Sequence, residues 1–275
     1  MKKNKIAHIY LIFVFVLLYL PIFYLMGFSF NSSTTMNKFA GFSWVHFQEL
    51  FNDTRLIIIL LQTFILAFLS ALIATLIGMC GSLLINYSKT HFTKNSLLSA
   101  NNLLLVSPDV IIGASFLILF TTVGHVFQGF GLGFVSVLLA HIAFSVPIVV
   151  LMILPQLKKM DETLVFAAYD LGANSWQTLT NVILPYLTPG IIAGYFMAFT
   201  YSLDDFAVTF FVTGGGFTTL SVEIYSRARQ GVSLEVNALS TLVFIFALIL
   251  VAGYYLISKD QPVIKAGKGK KGLIK

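Results

Sequence analysis

Charge is what this sequence has least of. Only 10% of its 275 residues are Asp, Glu, Lys or Arg, against about 25% in an ordinary soluble domain, which excludes a solvated globular surface. Cysteine occurs once, as Cys80 within an apolar run, so no disulfide framework or cysteine-based metal site can be argued. No G-x-x-x-x-G-K-S/T segment occurs, and without one the chain has no visible means of binding and hydrolysing ATP itself. No Ser/His/Asp or Cys/His grouping stands out from scattered polar residues, so no catalytic residue and no metal ligand is assigned. His141, inside an apolar run and with no partner at metal-ligand spacing, reads as a hydrogen-bonded core histidine.

What the sequence has in quantity is apolar residues, 57% of the total, with a mean hydropathy of +0.90. These values define an integral membrane protein. A sliding window of about 19 residues marks six expected spans, at 6–30, 56–85, 103–122, 132–154, 191–212 and 238–257. The first follows Lys2, Lys3 and Lys5 but is too long for a secretion-signal core, so it is expected to stay as an uncleaved span. The second exceeds the ~20 residues that cross a bilayer and must tilt or project. Pro108 and Pro147 predict kinks in the third and fourth.

Orientation follows from lysine and arginine. With the N-terminus inside, only Lys38, Arg55, Arg227 and Arg229 of the 17 cationic residues fall outside, so both termini are expected in the cytoplasm. The tail 259–275, rich in lysine from Lys265 on, is expected to lie on anionic headgroups. On the outer side, Phe39, Phe42, Trp44, Phe47 and Phe51 suggest an interfacial aromatic belt, with a docking surface for an external protein as the alternative. The glycines of 129–133 predict a tight outer turn.

Between the fourth and fifth spans lies a polar island, 160–189, which the charge pattern places inside. Leu164, Ala167, Ala168 and Leu171 share one face of a short helix that Gly172 stops. Asn174 or Ser175 can cap a second helix, on which Trp176, Leu179 and Ile183 share a face. Leu184-Pro185 is expected to end it.

This island resembles the cytoplasmic coupling loop of ABC-transporter permease subunits, whose motif runs E-A-A, three residues, G, nine residues, I, one residue, L-P. Ala167, Ala168, Gly172, Val182, Leu184 and Pro185 match its spacing, and Phe166 stands at the glutamate position. The resemblance implies that residues 155–190, with Trp176 among them, dock into a cleft on a cytoplasmic ATPase that binds ATP and Mg, this chain holding no cofactor of its own. It also implies an all-α permease domain over 1–258, in a bacterial inner membrane.

Three acids stand at or near membrane depth: Asp109, Asp204 and Asp205. A carboxylate there costs a few kcal/mol unless it faces a cavity, a partner or the surface, so these are pathway candidates. On one helix Asp204 and Asp205 would lie about 100° apart, so at most one would face a pore squarely. Carboxylates with aromatic neighbours such as Tyr201, Phe206, Phe210 and Phe211 favour an organic cation. The runs Ser107-Pro108-Asp109-Val110, 199–206, 211–214, 223–226 and 231–238 narrow the resemblance to the spermidine/putrescine branch of these permeases, and within it to the second permease subunit. Implied partners are a homologous permease, two copies of the ATPase and an external polyamine-binding protein. Two rival readings remain: the same architecture importing another cation or a metal ion, and a secondary transporter or channel working alone.

Overall fold

The computed structural model describes residues 5–33, 36–126, 130–230 and 234–259, and among them the regular structure is entirely helical. Outside the described residues lie Lys2 and Lys3, Gly129 of the outer turn, Gly231-Val232-Ser233 and the tail from residue 260. The chain divides into two compact units, Met1–Asp53 with Gln230–Lys275, and Thr54–Arg229.

The first unit holds α1 (Lys5–Ser29), α2 (Val45–Asn52) and α12 (Leu234–Lys259), with α1 and α2 packed on α12. Between α1 and α2 the Asn31 amide holds the connection closed: Nδ2 donates to the Lys38 carbonyl at 2.8 Å and Oδ1 accepts from the Ala40 amide at 2.8 Å. Phe30 gathers the expected belt. Phe42 stacks on it at 5.4 Å and Trp44 meets it edge-on at 5.0 Å, while Phe47 is buried as core.

The second unit is built on α3 (Thr54–Tyr87), α6 (Phe134–Lys159) and α9 (Leu184–Asp204), each packed against the other two. On α3, Ala67, Ser70, Ala71, Ala74, Gly78 and Ser82 recur every three or four residues, and all are buried. Small side chains let helices approach where lipid removes the hydrophobic drive to associate. Val149 of α6 sits in the resulting notch. A Cβ on Gly78 would lie 2.7 Å from it, and one on Gly194 of α9 would lie 3.2 Å from its Cγ1. Around this notch Ala71, Ala74, Ile153, Leu157, Ile183 and Leu187 form one apolar cluster, and Leu66, Ile112, Val137, Phe144, Val208 and Val212 form another.

The remaining elements decorate this bundle: α4 (His91–Val106), α5 (Asp109–Val126), α7 (Glu162–Asp170), α8 (Ser175–Thr178), a π-helical turn (Leu179–Ile183), α10 (Ala207–Val212) and α11 (Leu220–Gln230). Five helical stretches among the described residues are long and apolar enough to cross a membrane: His8–Ser29, Thr54–Tyr87, Asp109–Val126, Phe134–Lys159 and Ser175–Asp204. The last expected span lies along α12, whose described apolar part is Leu234–Ile245.

Three expectations are corrected. Pro108 does not kink a span begun at residue 103; it separates two helices. Ser107 is extended (φ −69°, ψ 137°), as a residue before proline prefers, so the third span begins at Asp109. The fifth expected span, 191–212, is broken at Asp205, which is extended (φ −61°, ψ 125°) between α9 and α10. Pro185, conversely, ends nothing. The helix runs from Ser175 to Asp204 through the π turn, where the Leu184 amide reaches back five residues to the Leu179 carbonyl. The π turn directly precedes Pro185, and its departure from regular i→i−4 bonding is where the helix takes in a residue without an N–H.

Candidate functional site

At one end of the bundle, α7 and α8 form a hinged pair. Asp161 opens α7 by accepting the Thr163 amide at 2.9 Å, and that bond holds its carboxyl below the usual range. Gly172 closes α7 at φ +85°. Its amide donates to the Tyr169 carbonyl and the Ala173 amide to the Ala168 carbonyl, the paired bonds of a left-handed C-terminal cap. A Cβ on Gly172 would meet nothing within 4 Å, so glycine is needed there for its backbone alone. Asn174 and Gln177 then cap α8 reciprocally, each side chain accepting the other's amide at 2.8 and 2.9 Å.

The faces divide differently from their sequence spacing. Of Leu164, Ala167, Ala168 and Leu171 only Ala168 is buried; Leu171 is 89% exposed. Trp176 stands out at 70% exposure, whereas Ile183 is core and Leu179 packs against it, because the π turn rotates α8 away from the spacing of a regular helix. Leu184 is half-buried and Pro185 exposed. The result is an exposed apolar set, Leu164, Phe166, Leu171 and Trp176, on elements whose inner face is sealed to the bundle through Val165, Ile183 and Leu187.

The acids separate into three settings. Asp109 starts α5, and the Tyr201 hydroxyl of α9 donates to its Oδ1 at 2.9 Å, joining the break at Pro108 to the end of α9. Phe144 supports that tyrosine edge-on at 5.1 Å. Asp204, the last residue of α9, is exposed. Asp205 is buried, its side chain 7% exposed. Its carboxylate accepts the Val208 amide at 3.3 Å, the Thr209 amide at 2.8 Å and the Thr209 hydroxyl at 2.7 Å, and so caps α10. The two acids therefore do not share a helix. Phe206 and Phe210 pack with Tyr225 of α11, at 4.5 and 6.1 Å, and Phe211 lies over Gly113 of α5.

His141 is fully buried, with both ring nitrogens engaged: Nδ1 with the Ser202 hydroxyl at 2.7 Å and Nε2 with the Thr209 hydroxyl at 2.8 Å. Sequence reasoning found the histidine but none of its partners, which lie 61 and 68 residues away. It also missed Glu223, buried and bridged by Arg55 at 3.2 Å and Arg227 at 3.0 Å. The spacing of four residues between Glu223 and Arg227 was the available signal. Glu223 and Arg55 border a cleft of about 620 Å³ with Gln62, Ser226 and Gly214-Gly215-Gly216.

Residues 78–258 match the family described as the binding-protein-dependent transport system inner membrane component. The spermidine/putrescine transport system permease protein PotC of Haemophilus influenzae is 34% identical over 261 residues, 95% of this chain and 99% of that protein. The putrescine transport system permease protein PotI of Escherichia coli K12 is 34% identical over 230 residues, 83% of this chain and 82% of that one. In fold, the chain resembles a bacterial ABC transporter involved in the import of the acidic polysaccharide alginate, with a TM-score of 0.71 at 17% identity over 92% of this chain and 94% of that one.

Proposed function

Because the chain belongs to the family of binding-protein-dependent inner membrane transport components, we propose that it forms one half of an ATP-driven import pathway for polyamines such as spermidine and putrescine. The observation that carries this reading is the Tyr201–Asp109 pair, with exposed Asp204 three residues along α9, in a chain so similar over its length to a spermidine/putrescine permease. Carboxylates between low-dielectric walls attract a flexible polycation, and aromatic faces add cation–π attraction. In this reading Asp109, Tyr201 and Asp204 meet the substrate, whereas Asp205 serves the passage by holding α10.

Both termini and the α7–α8 pair lie on the cytoplasmic side, as the lysine and arginine asymmetry favours. The exposed Leu164, Phe166, Leu171 and Trp176 then meet an ATPase subunit, with Ala167, Ala168, Gly172, Leu184 and Pro185 shaping the contact. Phe166 adds apolar area where the family's motif has a carboxylate. The chain works beside a homologous permease, two ATPase copies and an external binding protein; ATP and Mg are held by the ATPase. Nucleotide binding moves the docking clefts. The unbroken helix Ser175–Asp204, about 45 Å long at 1.5 Å per residue, carries that motion from Trp176 to Asp204. A stiff element spanning both sites is the physical link that coupling requires.

The test is uptake of radiolabelled spermidine by cells lacking their own polyamine importers and supplied with this chain and its partner subunits. ATP-dependent uptake competed by putrescine is expected. Uptake that survives loss of the ATPase would overturn the reading in favour of a stand-alone transporter, and uptake of a metal ion but not of polyamines would reassign the substrate.

A further inference from the structure

We propose that His141 is a positioning residue: through Thr209 it holds Asp205 in place as the cap of α10, and so sets where α9 ends and how Asp204 is presented. The proposal rests on the reading of Asp204 as part of the passage. Its geometry is a chain of hydrogen bonds through four helices: Ser70 of α3 lies 2.8 Å from Ser202 of α9, Ser202 2.7 Å from His141 of α6, His141 2.8 Å from Thr209 of α10, and Thr209 2.7 Å from Asp205.

With the Asp205 carboxylate ionised, two links in this chain have a forced direction. The Thr209 hydroxyl has a single hydrogen, and an ionised carboxylate can only accept, so that hydrogen goes to Asp205 Oδ2. Thr209 must then accept from His141, and Nε2 carries the hydrogen. The imidazole also stands 3.6 Å from the carboxylate itself. Ser70, Ser202, His141 and Thr209 are all buried, so each lost bond leaves a polar atom without water. Apolar residues at these places would pack the bundle as well but would not specify the break. At Asp205 two helices part, and three backbone and side-chain hydrogens converge on one carboxylate. Removing the imidazole frees Thr209 to turn, the cap loosens, and the end of α9 slides from its register.

The experiment uses the full-length chain in its assembled complex and compares wild type with His141→Leu, Thr209→Val and Thr209→Ser. Backbone amide exchange over 208–212 is expected to quicken about tenfold in His141→Leu and Thr209→Val, the factor one lost buried hydrogen bond corresponds to. Thr209→Ser, which keeps the hydroxyl, should exchange as wild type. In spermidine uptake, the first two variants should raise the half-saturation concentration several-fold at equal complex abundance, and Thr209→Ser should not. Unchanged exchange in His141→Leu overturns the proposal, as does quickened exchange with an unchanged half-saturation concentration. Should the wild-type complex fail to take up polyamine at all, the functional reading fails, while amide exchange still decides whether His141 holds the cap.

Discussion

Adjacent residues of one chemistry can have opposite duties, and Asp204 and Asp205 are such a pair. Asp205 is enclosed and accepts three hydrogen bonds, whereas Asp204 is exposed at the end of its helix. Asp205→Asn should therefore lower the thermal midpoint of the purified complex, by the equivalent of about 1–3 kcal/mol for a compromised buried acceptor. Asp204→Asn should leave that midpoint alone and raise the half-saturation concentration for spermidine. A midpoint that falls equally for both would remove the distinction. At the other end of the bundle, Gly172→Ala and Gly172→Leu should cost about the same, roughly 1 kcal/mol, because only the left-handed backbone is at issue and no neighbour crowds the site. Both should weaken co-purification of the ATPase to a similar degree. Trp176→Ala, a change to an exposed side chain, should weaken it without moving the midpoint. The Asp161 cap has a carboxyl held low by the Thr163 amide. Its contribution is complete above the ordinary carboxylate value near 4 and fades only as pH falls through the lower folded value, so co-purification should be flat across neutral pH.

Among the elements, the decisive one is the helix that passes through a π turn from Ser175 to Asp204. The extra residue in that turn sets the angle between Trp176 and the buried Ile183. Inserting one residue after Thr180, beyond the one that the π turn already absorbs, should rotate α8 by about 100° relative to α9. The expected result is a protein that inserts and folds but no longer retains its ATPase, read by co-purification in mild detergent; retained ATPase would mean that the rotation carries no docking information. The contact of α3, α6 and α9 at Val149 obeys a different rule. There a Cβ on Gly78 already collides at 2.7 Å, so Gly78→Ala should lower the midpoint by the equivalent of about 1–3 kcal/mol. Gly172→Ala has no such collision to relieve, and the comparison separates crowding from backbone conformation.

At the scale of the whole molecule, membrane residence and helicity were legible before any coordinates, because lipid forces every backbone group to be satisfied within its own segment and so makes long apolar runs into helices. The hinged pair of α7 and α8 was legible for a similar reason. Glycine at 172 and asparagine at 174 stop and start helices through local backbone and side-chain bonds, independent of anything distant. Proline misled in both directions for want of context: Pro108 severs where a kink was expected, and Pro185 is absorbed where a stop was expected. Hydropathy could not place the break at Asp205, since 191–212 is apolar enough to read as one span despite its two acids, and the cap that creates the break is supported by Ser202 near the end of α9 and by His141 and Ser70 on other helices. Short-range chemistry thus dictates the medium, the elements and the hinge. Which acid is enclosed, which is exposed and which tyrosine meets Asp109 are settled by residues brought together across 61 to 132 positions, as in the Ser202 bonds to His141 and Ser70 and the Tyr201 bond to Asp109. A buried polar group is assigned its role by the partners that replace water, and those partners exist only once the helices have packed.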